Sequence, residues 1–240
     1  ARNVRGHPFP GRADESGRTG LWDVLVGWIG GLDSMDAPFC AALAALKPLD
    51  RHLLFERHLV SREHVTPRPG SGVVLKRDES VCVMVNEEDH LRLQAFQPGL
   101  NLERAWRVVD RLDTEIEGEF DYAFSPELGY LTACPSNVGT GLRASVMLHL
   151  PALSLLGEIE AVMRGIGKLG LAARGLWGEG SEAAGNLYQI SNQRTLGERE
   201  TDLLNALEDL VLEIVEHEEN ARQRLLERRK ALLDDHVGRA

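Results

Sequence analysis

The sequence predicts an α+β fold, a mainly antiparallel β-sheet flanked by helices, and three features carry that expectation. Strand-like and helix-like segments intermix without the strand, helix, strand rhythm of a parallel sheet. Val73–Arg77 and Val81–Val85 are two β-rich runs joined by the polar turn Asp78-Glu79-Ser80, a hairpin pattern. Asn101–Glu117 sets Leu102, Ala105, Trp106, Val109, Leu112 and Ile116 on one face at helical spacing, the apolar stripe of a helix that covers a sheet. With 240 residues, 43% of them hydrophobic, the chain can bury a core without disulfide staples and is read as one domain, 1–240.

The other elements follow in chain order. Leu21–Ile29 (LWDVLVGWI) has helical spacing and stops at Gly30-Gly31; a weaker helical stretch, Ala37–Leu46, ends at Pro48. Leu49–Leu59 is apolar at Leu49, Leu53, Leu54 and Leu59, after which Pro67, Pro69, Gly70 and Gly72 make a loop. His90–Phe96 reads as a third strand after the polar break Asn86–Asp89. Tyr130–Ala133 and Ser145–Leu150 are strand-like around a Gly-rich turn, and Leu153–Gly167 is helical. Leu171–Arg174 and Leu187–Ser191 are short strands flanking the polar loop Gly175–Gly185. Thr195-Leu-Gly-Glu198 has the pattern of a capping box ahead of a long helix carrying Leu203, Leu204, Leu207, Leu210, Val211, Ile214 and Val215. Beyond Glu216 the charge density reads as a solvated helix or a lead into a next domain.

Charge and cysteine content narrow the function. Lysine and arginine number 27 against 37 acids, a formal net charge of −10, so nothing draws the whole chain to nucleic acid or anionic lipid, and any bound phosphate must meet a local arginine cluster. Cys40, Cys82 and Cys134 form no CxxC pair, and an odd count reads as reduced thiols in the cytoplasm. The longest apolar run, Ser145–Leu156, contains His149 and Pro151 and is too short to span a bilayer, so no membrane segment is expected. The chain opens at Ala1 without an initiator Met and stops at Ala240 inside a charged helical pattern, and is expected to be a fragment of something longer.

Three segments concentrate chemistry. Asn86-Glu87-Glu88-Asp89, with His90 and Arg92 just beyond, sets three carboxylates at the end of an apolar strand, where acids most often form a solvated turn. Cys134–Arg143 (CPSNVGTGLR) packs small residues and two glycines beside an arginine, a composition that lets backbone N–H groups approach an anion. Arg174–Gly180 (RGLWGEG) adds an arginine, three glycines and Glu179 on a loop suited to closing over a reactive phosphate, or to being a plain surface turn. Taken together, Val85–Gln94, Ala133–Leu153 and Arg174–Ala183 resemble the three signature regions of the ATP:guanido phosphotransferases, the family of arginine and creatine kinases, and the resemblance runs from Ala1 to about Gly197. Within it the chain is most similar to the bacterial protein-arginine kinases. Glu56–Ser61 (ERHLVS) stands where small-molecule phosphagen kinases carry an Asp-Asp-His-Phe run, and no small helical N-terminal domain is evident.

The resemblance implies a guanido-kinase catalytic domain of glutamine-synthetase-like fold that uses ATP and Mg²⁺ to phosphorylate arginine side chains presented by proteins. It implies that Glu88 and Glu179 clamp the guanidinium and that Cys134 adds thiolate charge beside it. A planar, permanently charged, poorly nucleophilic guanidinium needs such carboxylates to hold it in line with the phosphoryl group. It further implies that His58, Arg92, Arg143, Ala144, Ser145, Val146, Met147, Arg174, Gly175, Leu176, Trp177 and Gly178 bind the nucleotide. No residue is assigned as a metal ligand. The family's Ser-Ser-Arg-x-Arg run would lie just before Ala1-Arg2-Asn3, and a C-terminal region beyond Ala240 would supply a homodimer contact. Two other readings stand beside this one: a kinase for free arginine or another small guanidino compound, and a non-catalytic phosphoarginine-binding adaptor.

Other conspicuous residues read as structural. His7, His52, His64, His90, His149, His217 and His236 lack metal-ligand spacing, Trp22, Trp28 and Trp106 lie on apolar helical faces, and Cys40 and Cys82 fall in apolar runs where burial is expected.

Overall fold

The computed structural model of the chain describes residues 1–175 and 184–239, which divide between two units. The first, Ala1–Leu142 with Thr195–Gly197, is organised on a four-stranded sheet. Helix α1 (Glu15–Ile29) is capped by the Asp14 carboxylate, which accepts from the Gly17 N–H at 2.7 Å, and buries Leu21, Trp22, Leu25 and Ile29. Strand β1 (Phe39–Ala42), helix α2 (Pro48–Glu56) and strands β2 (Gly72–Leu75), β3 (Val81–Val85) and β4 (Leu91–Ala95) follow, and the sheet runs β1-β2-β3-β4 with every pair antiparallel. Helix α3 (Leu102–Glu117) and a small hairpin of β5 (Phe124–Ser125) and β6 (Gly129–Tyr130) complete this part.

Every residue of β2 and β3 is buried, because both faces of the sheet are covered. Val74, Val81, Val83, Val85 and Leu91 share one core with Leu25 and Ile29 of α1 and Leu112 and Ile116 of α3. The alternate residues Val73, Leu75, Cys82 and Met84 share a second core with Leu43, Leu59 and Val60. The expected hairpin, third strand and covering helix are all present at these positions.

Four local expectations are corrected. Ala37–Leu46 is not helical: Ala37 lies at a left-handed φ of +50° and precedes Pro38, and Phe39–Ala42 pairs with β2 as an edge strand before a short 3₁₀ turn, Leu43–Ala45. Cys40 on that edge is exposed rather than buried. The helix expected over Leu153–Gly167 is broken in two, as the second unit shows.

That unit, Arg143–Arg194 with Glu198–Ala240, holds strand β7 (Ser145–His149), helices α4 (Pro151–Leu155) and α5 (Ile159–Lys168), strands β8 (Leu171–Gly175) and β9 (Leu187–Asn192), and helices α6 (Glu200–Arg228) and α7 (Lys230–Arg239). Its sheet runs β7-β9-β8, antiparallel throughout. Gly157, at φ +74°, separates α4 from α5. The capping box is the fourth correction. Thr195 belongs to the first unit, where its hydroxyl lies 2.6 Å from Val138 O and 3.0 Å from Ser136 O, and α6 starts after Arg199 with no side-chain cap. No helix among the described residues is long and apolar enough to cross a membrane.

Helix α6 buries Leu204, Leu207, Val211 and Ile214, and its buried stripe continues through the charged stretch as Glu218, Ala221 and Leu225. Glu218 is 3% exposed and accepts from the first N–H groups of α4, Ala152 N and Leu153 N, each at 3.0 Å, while Arg222 Nε donates to it at 2.7 Å. A carboxylate from one helix therefore caps another, because Leu150 offers α4 no cap of its own. Glu218→Ala should destabilise the protein by about 3 kcal/mol, since it strands buried N–H donors and a guanidinium partner. The urea midpoint reads this, and Glu218→Gln, keeping one acceptor oxygen, should lose less.

Candidate functional site

The acid run closes the β3–β4 hairpin, and its members face different surroundings. Asn86, at φ +54°, is buried and donates to Arg18 O (3.0 Å) and Gly70 O (2.7 Å), while its own N–H reaches back to His90 O at 3.0 Å. Glu87 accepts from the Ser61 hydroxyl and pairs with Arg92 at 3.5 Å. Burial works against its ionisation, but Arg92 and the Ser61 hydroxyl outweigh it and hold the carboxyl below the usual range. Asp89 is buried and accepts from Asn3 Nδ2 at 2.6 Å and from Ala133 N at 2.7 Å. Glu88 is the exposed acid of the run. Partial burial, then the charges of Asp89 and Glu87, push its carboxyl above the usual carboxylate value, with Arg92 pulling the other way.

The bond from Ala133 N to Asp89 ties this loop to the segment carrying Cys134. Cys134 precedes a short 3₁₀ turn, Pro135–Asn137, and its Sγ lies 3.0 Å from Ser136 Oγ, while its carbonyl accepts from Thr132 Oγ1 at 2.8 Å. Glu88 and Cys134 thus each flank one end of a single hydrogen bond. His90 N–H donates to Asn3 Oδ1, and the His90 ring accepts from Val4 N at Nδ1 (3.0 Å), so Nε2 donates to Pro8 O at 2.9 Å. Burial pushes the His90 imidazole below its ordinary value and keeps it neutral.

Arg92 and His58 belong to the same side of the four-stranded sheet. Arg92 pairs in register with Met84, whose side chain lies in the core shared with Leu59 and Val60, directly after His58. His58 ends α2 in a left-handed conformation, φ +58°, with its N–H on Phe55 O and the Leu59 N–H on Leu54 O, both at 2.9 Å. This is a Schellman ending, in which glycine is the residue of choice at the position His58 occupies. An imidazole there carries about 1–2 kcal/mol of left-handed strain that glycine would not.

In the second unit both arginines lie on one face of the β7-β9-β8 sheet. Met147, Gln189 and Arg174 form one cross-strand row, and Ser145, Ser191 and Ala172 the next. Arg143 Nη2 reaches Ser191 Oγ at 3.5 Å, and Gln189 Nε2 donates to Ser145 Oγ at 3.0 Å. Ser145, Met147 and His149 are exposed along this face, whereas Val146 alternates onto the other one. Ala144 is buried, with its N–H on Asn192 Oδ1 at 2.8 Å. Gly175 ends β8. Leu176, Trp177, Gly178 and Glu179 lie outside the described residues.

The structure therefore brings His58, Glu88, Arg92 and Cys134 into the first unit, and Arg143, Ala144, Ser145, Met147 and Arg174 onto or beside one face of the second. Among the described residues no three His, Cys, Asp or Glu side chains cluster as a metal site. Sequence reasoning missed Asn3, Ser61 and the split within the acid run. Only the cross-chain hydrogen bonds reveal them, although the length of the acid run hinted that its members could not all play one part.

Comparison with known proteins gives this arrangement its context. Residues 32–221 match the model of the ATP:guanido phosphotransferase C-terminal catalytic domain. The chain is 44% identical to a protein-arginine kinase of Clostridium acetobutylicum, covering 100% of itself and 71% of that relative, and 45% identical to one of Pelotomaculum thermopropionicum, covering 100% and 68%. A solved structure of the duplicated taurocyamine kinase from Schistosoma mansoni, with bound transition state analog components, is similar at a TM-score of 0.81 and 31% identity, over 91% of this chain and 32% of that one. His58→Gly should raise stability by about 1 kcal/mol, read as the urea midpoint, by relieving the left-handed strain.

Proposed function

The chain belongs to the ATP:guanido phosphotransferase family, and from that membership we propose that it transfers the γ-phosphoryl group of ATP to arginine side chains of proteins. The observation that carries the reading is Glu88: of the acids in its loop it is the one left exposed, on a turn whose other side chains are fixed. A carboxylate so held can take two N–H groups of a guanidinium and aim the remaining nitrogen at phosphorus. In this reading Glu179 is a second guanidinium-binding carboxylate, Cys134 places its sulfur beside the same group, and the raised value of Glu88 suits it to accept the proton that transfer releases.

The donor set of the second unit fits a polyanion. Arg143 and Arg174 share one sheet face with the hydroxyl and amide groups of Ser145 and Gln189, a donor set suited to nucleotide phosphates, and in this reading Arg92 and His58 of the first unit are nucleotide-binding residues as well. Backbone groups of Ala144–Met147 and of Gly175–Gly178 would complete that contact. Mg²⁺ accompanying the nucleotide would supply charge neutralisation at the phosphates, and this cation commonly keeps water and phosphate ligands and needs few protein groups. The preference for a protein-borne arginine over a free one follows the two bacterial protein-arginine kinases to which the chain is similar. A cytoplasmic setting, where Cys40, Cys82 and Cys134 stay reduced, and a homodimer complete the proposal.

Acid-labile phosphate on an arginine-containing protein, compared with free arginine as acceptor, tests the assignment, and equal or better transfer to free arginine would overturn its substrate class. Glu88→Gln should lower transfer by about a hundredfold or more while leaving the fold intact. Because the Glu88 carboxyl lies above the ordinary value near 4.3, the clamp is lost earlier on acidification than for a common glutamate. The acid limb of kcat/KM should accordingly sit above that value and vanish from the residual activity of Glu88→Gln.

A further inference from the structure

A buried polar node lies behind the exposed groups of the first unit. Asn3 is 1% exposed, Asp89 3% and His90 1%. The Asn3 amide donates from Nδ2 to Asp89 Oδ1 at 2.6 Å and to Leu131 O at 3.1 Å, and its Oδ1 accepts from His90 N at 2.9 Å. Asp89 Oδ1 takes the Ala133 N–H as well, at 2.7 Å. Three stretches of chain meet here, and two of them go on at the next residue to Glu88 and to Cys134.

We propose that Asn3 is a positioning residue: with Asp89 it clamps the loop carrying Glu88 to the segment carrying Cys134, fixing the spacing at which the two act on one guanidinium. The proposal rests on the functional reading above. The chemistry of the site is specific to an amide. Asn3 donates to a carboxylate and a carbonyl and accepts from an N–H, so both ends of its side chain are used. Packing alone would be served by an apolar side chain of similar size, whereas here removal of the amide leaves a buried carboxylate short of a donor and a buried N–H short of an acceptor. The backbone of the same segment is held independently, through the Arg2–Leu91 bridge and the bonds of Ala123 N to Asn3 O and Val4 N to His90 Nδ1. Substitution of the side chain can therefore loosen the clamp while the segment stays docked.

The test uses Asn3→Ala and Asn3→Asp in the intact enzyme, with alkylation of the half-buried Cys134 by iodoacetamide followed on its own peptide by mass spectrometry, since Cys40 is exposed and would react too. Asn3→Ala should lower kcat about tenfold to a hundredfold, with KM for ATP changed no more than about twofold, and should speed Cys134 alkylation at least about threefold. Asn3→Asp keeps the acceptor for His90 N but sets two carboxylates against each other, a conflict that one shared proton relieves. Its kcat relative to wild type should rise several-fold between pH 8 and pH 6. Cys134 alkylation at the wild-type rate in a folded Asn3→Ala protein overturns the proposal, as does an Asn3→Asp ratio that stays flat with pH. Should Asn3→Ala fail to fold, the pH ratio of Asn3→Asp decides. Should the wild type transfer no phosphate to arginine, the functional reading falls, and the alkylation comparison alone settles the clamp.

Discussion

The Asp89 carboxylate, accepting from Asn3 and from Ala133 N at under 3 Å, is the contact on which the rest of the first unit's site depends. A buried carboxylate is costly unless donors surround it, and here the donors come from segments far apart in sequence. The same acceptor that keeps Asp89 content in the interior makes the loop between β3 and β4 inseparable from the segment before Cys134. Exposure of Glu88 is the complement of that burial: neighbours on both sides are turned inward and satisfied, so the remaining carboxylate has nowhere to go but out.

The second unit solves a different problem with similar means. Its sheet carries cations on one face, and cations near one another need a rigid support to stay aligned. Cross-strand register supplies it, placing Arg174 in the row of Gln189 and Met147 and Arg143 within reach of Ser191. Behind β7, the cap that Glu218 lends to α4 anchors the exit of the strand to the long helix.

Much of this was legible in the sequence, and the failures are informative. The unbroken apolar run Val81–Val85 and the apolar stripe of Asn101–Glu117 announced their elements, because a strand covered on both faces is apolar throughout and a helix covering a sheet is apolar on one side. Ala37–Leu46 misled because its small apolar residues suit a helix as well as an edge strand, and pairing with β2 decided the matter. Thr195 and Glu198 had capping-box spacing, but the Thr195 hydroxyl found carbonyls in the Ser136–Val138 turn. Glu218 looked solvated because its neighbours are charged, and only the uncapped start of α4 explains its burial. Within the site, residue type marked the three segments and the family resemblance picked out Glu88, Cys134 and the arginines, whereas the Asn3–Asp89 hydrogen bond spans 86 residues of chain, which local pattern does not encode.

The hairpin that presents Glu88 also limits how this region can change over generations. Surface turns between strands ordinarily absorb insertions and deletions with little harm. Here β4 alternates Leu91 and Leu93 toward one core with Arg92 on the opposite side, so a single-residue indel in the turn would swap a cation for a leucine along the whole strand. Variation at this point should therefore be confined to replacement, and any length change would have to come as compensated pairs that restore the phase.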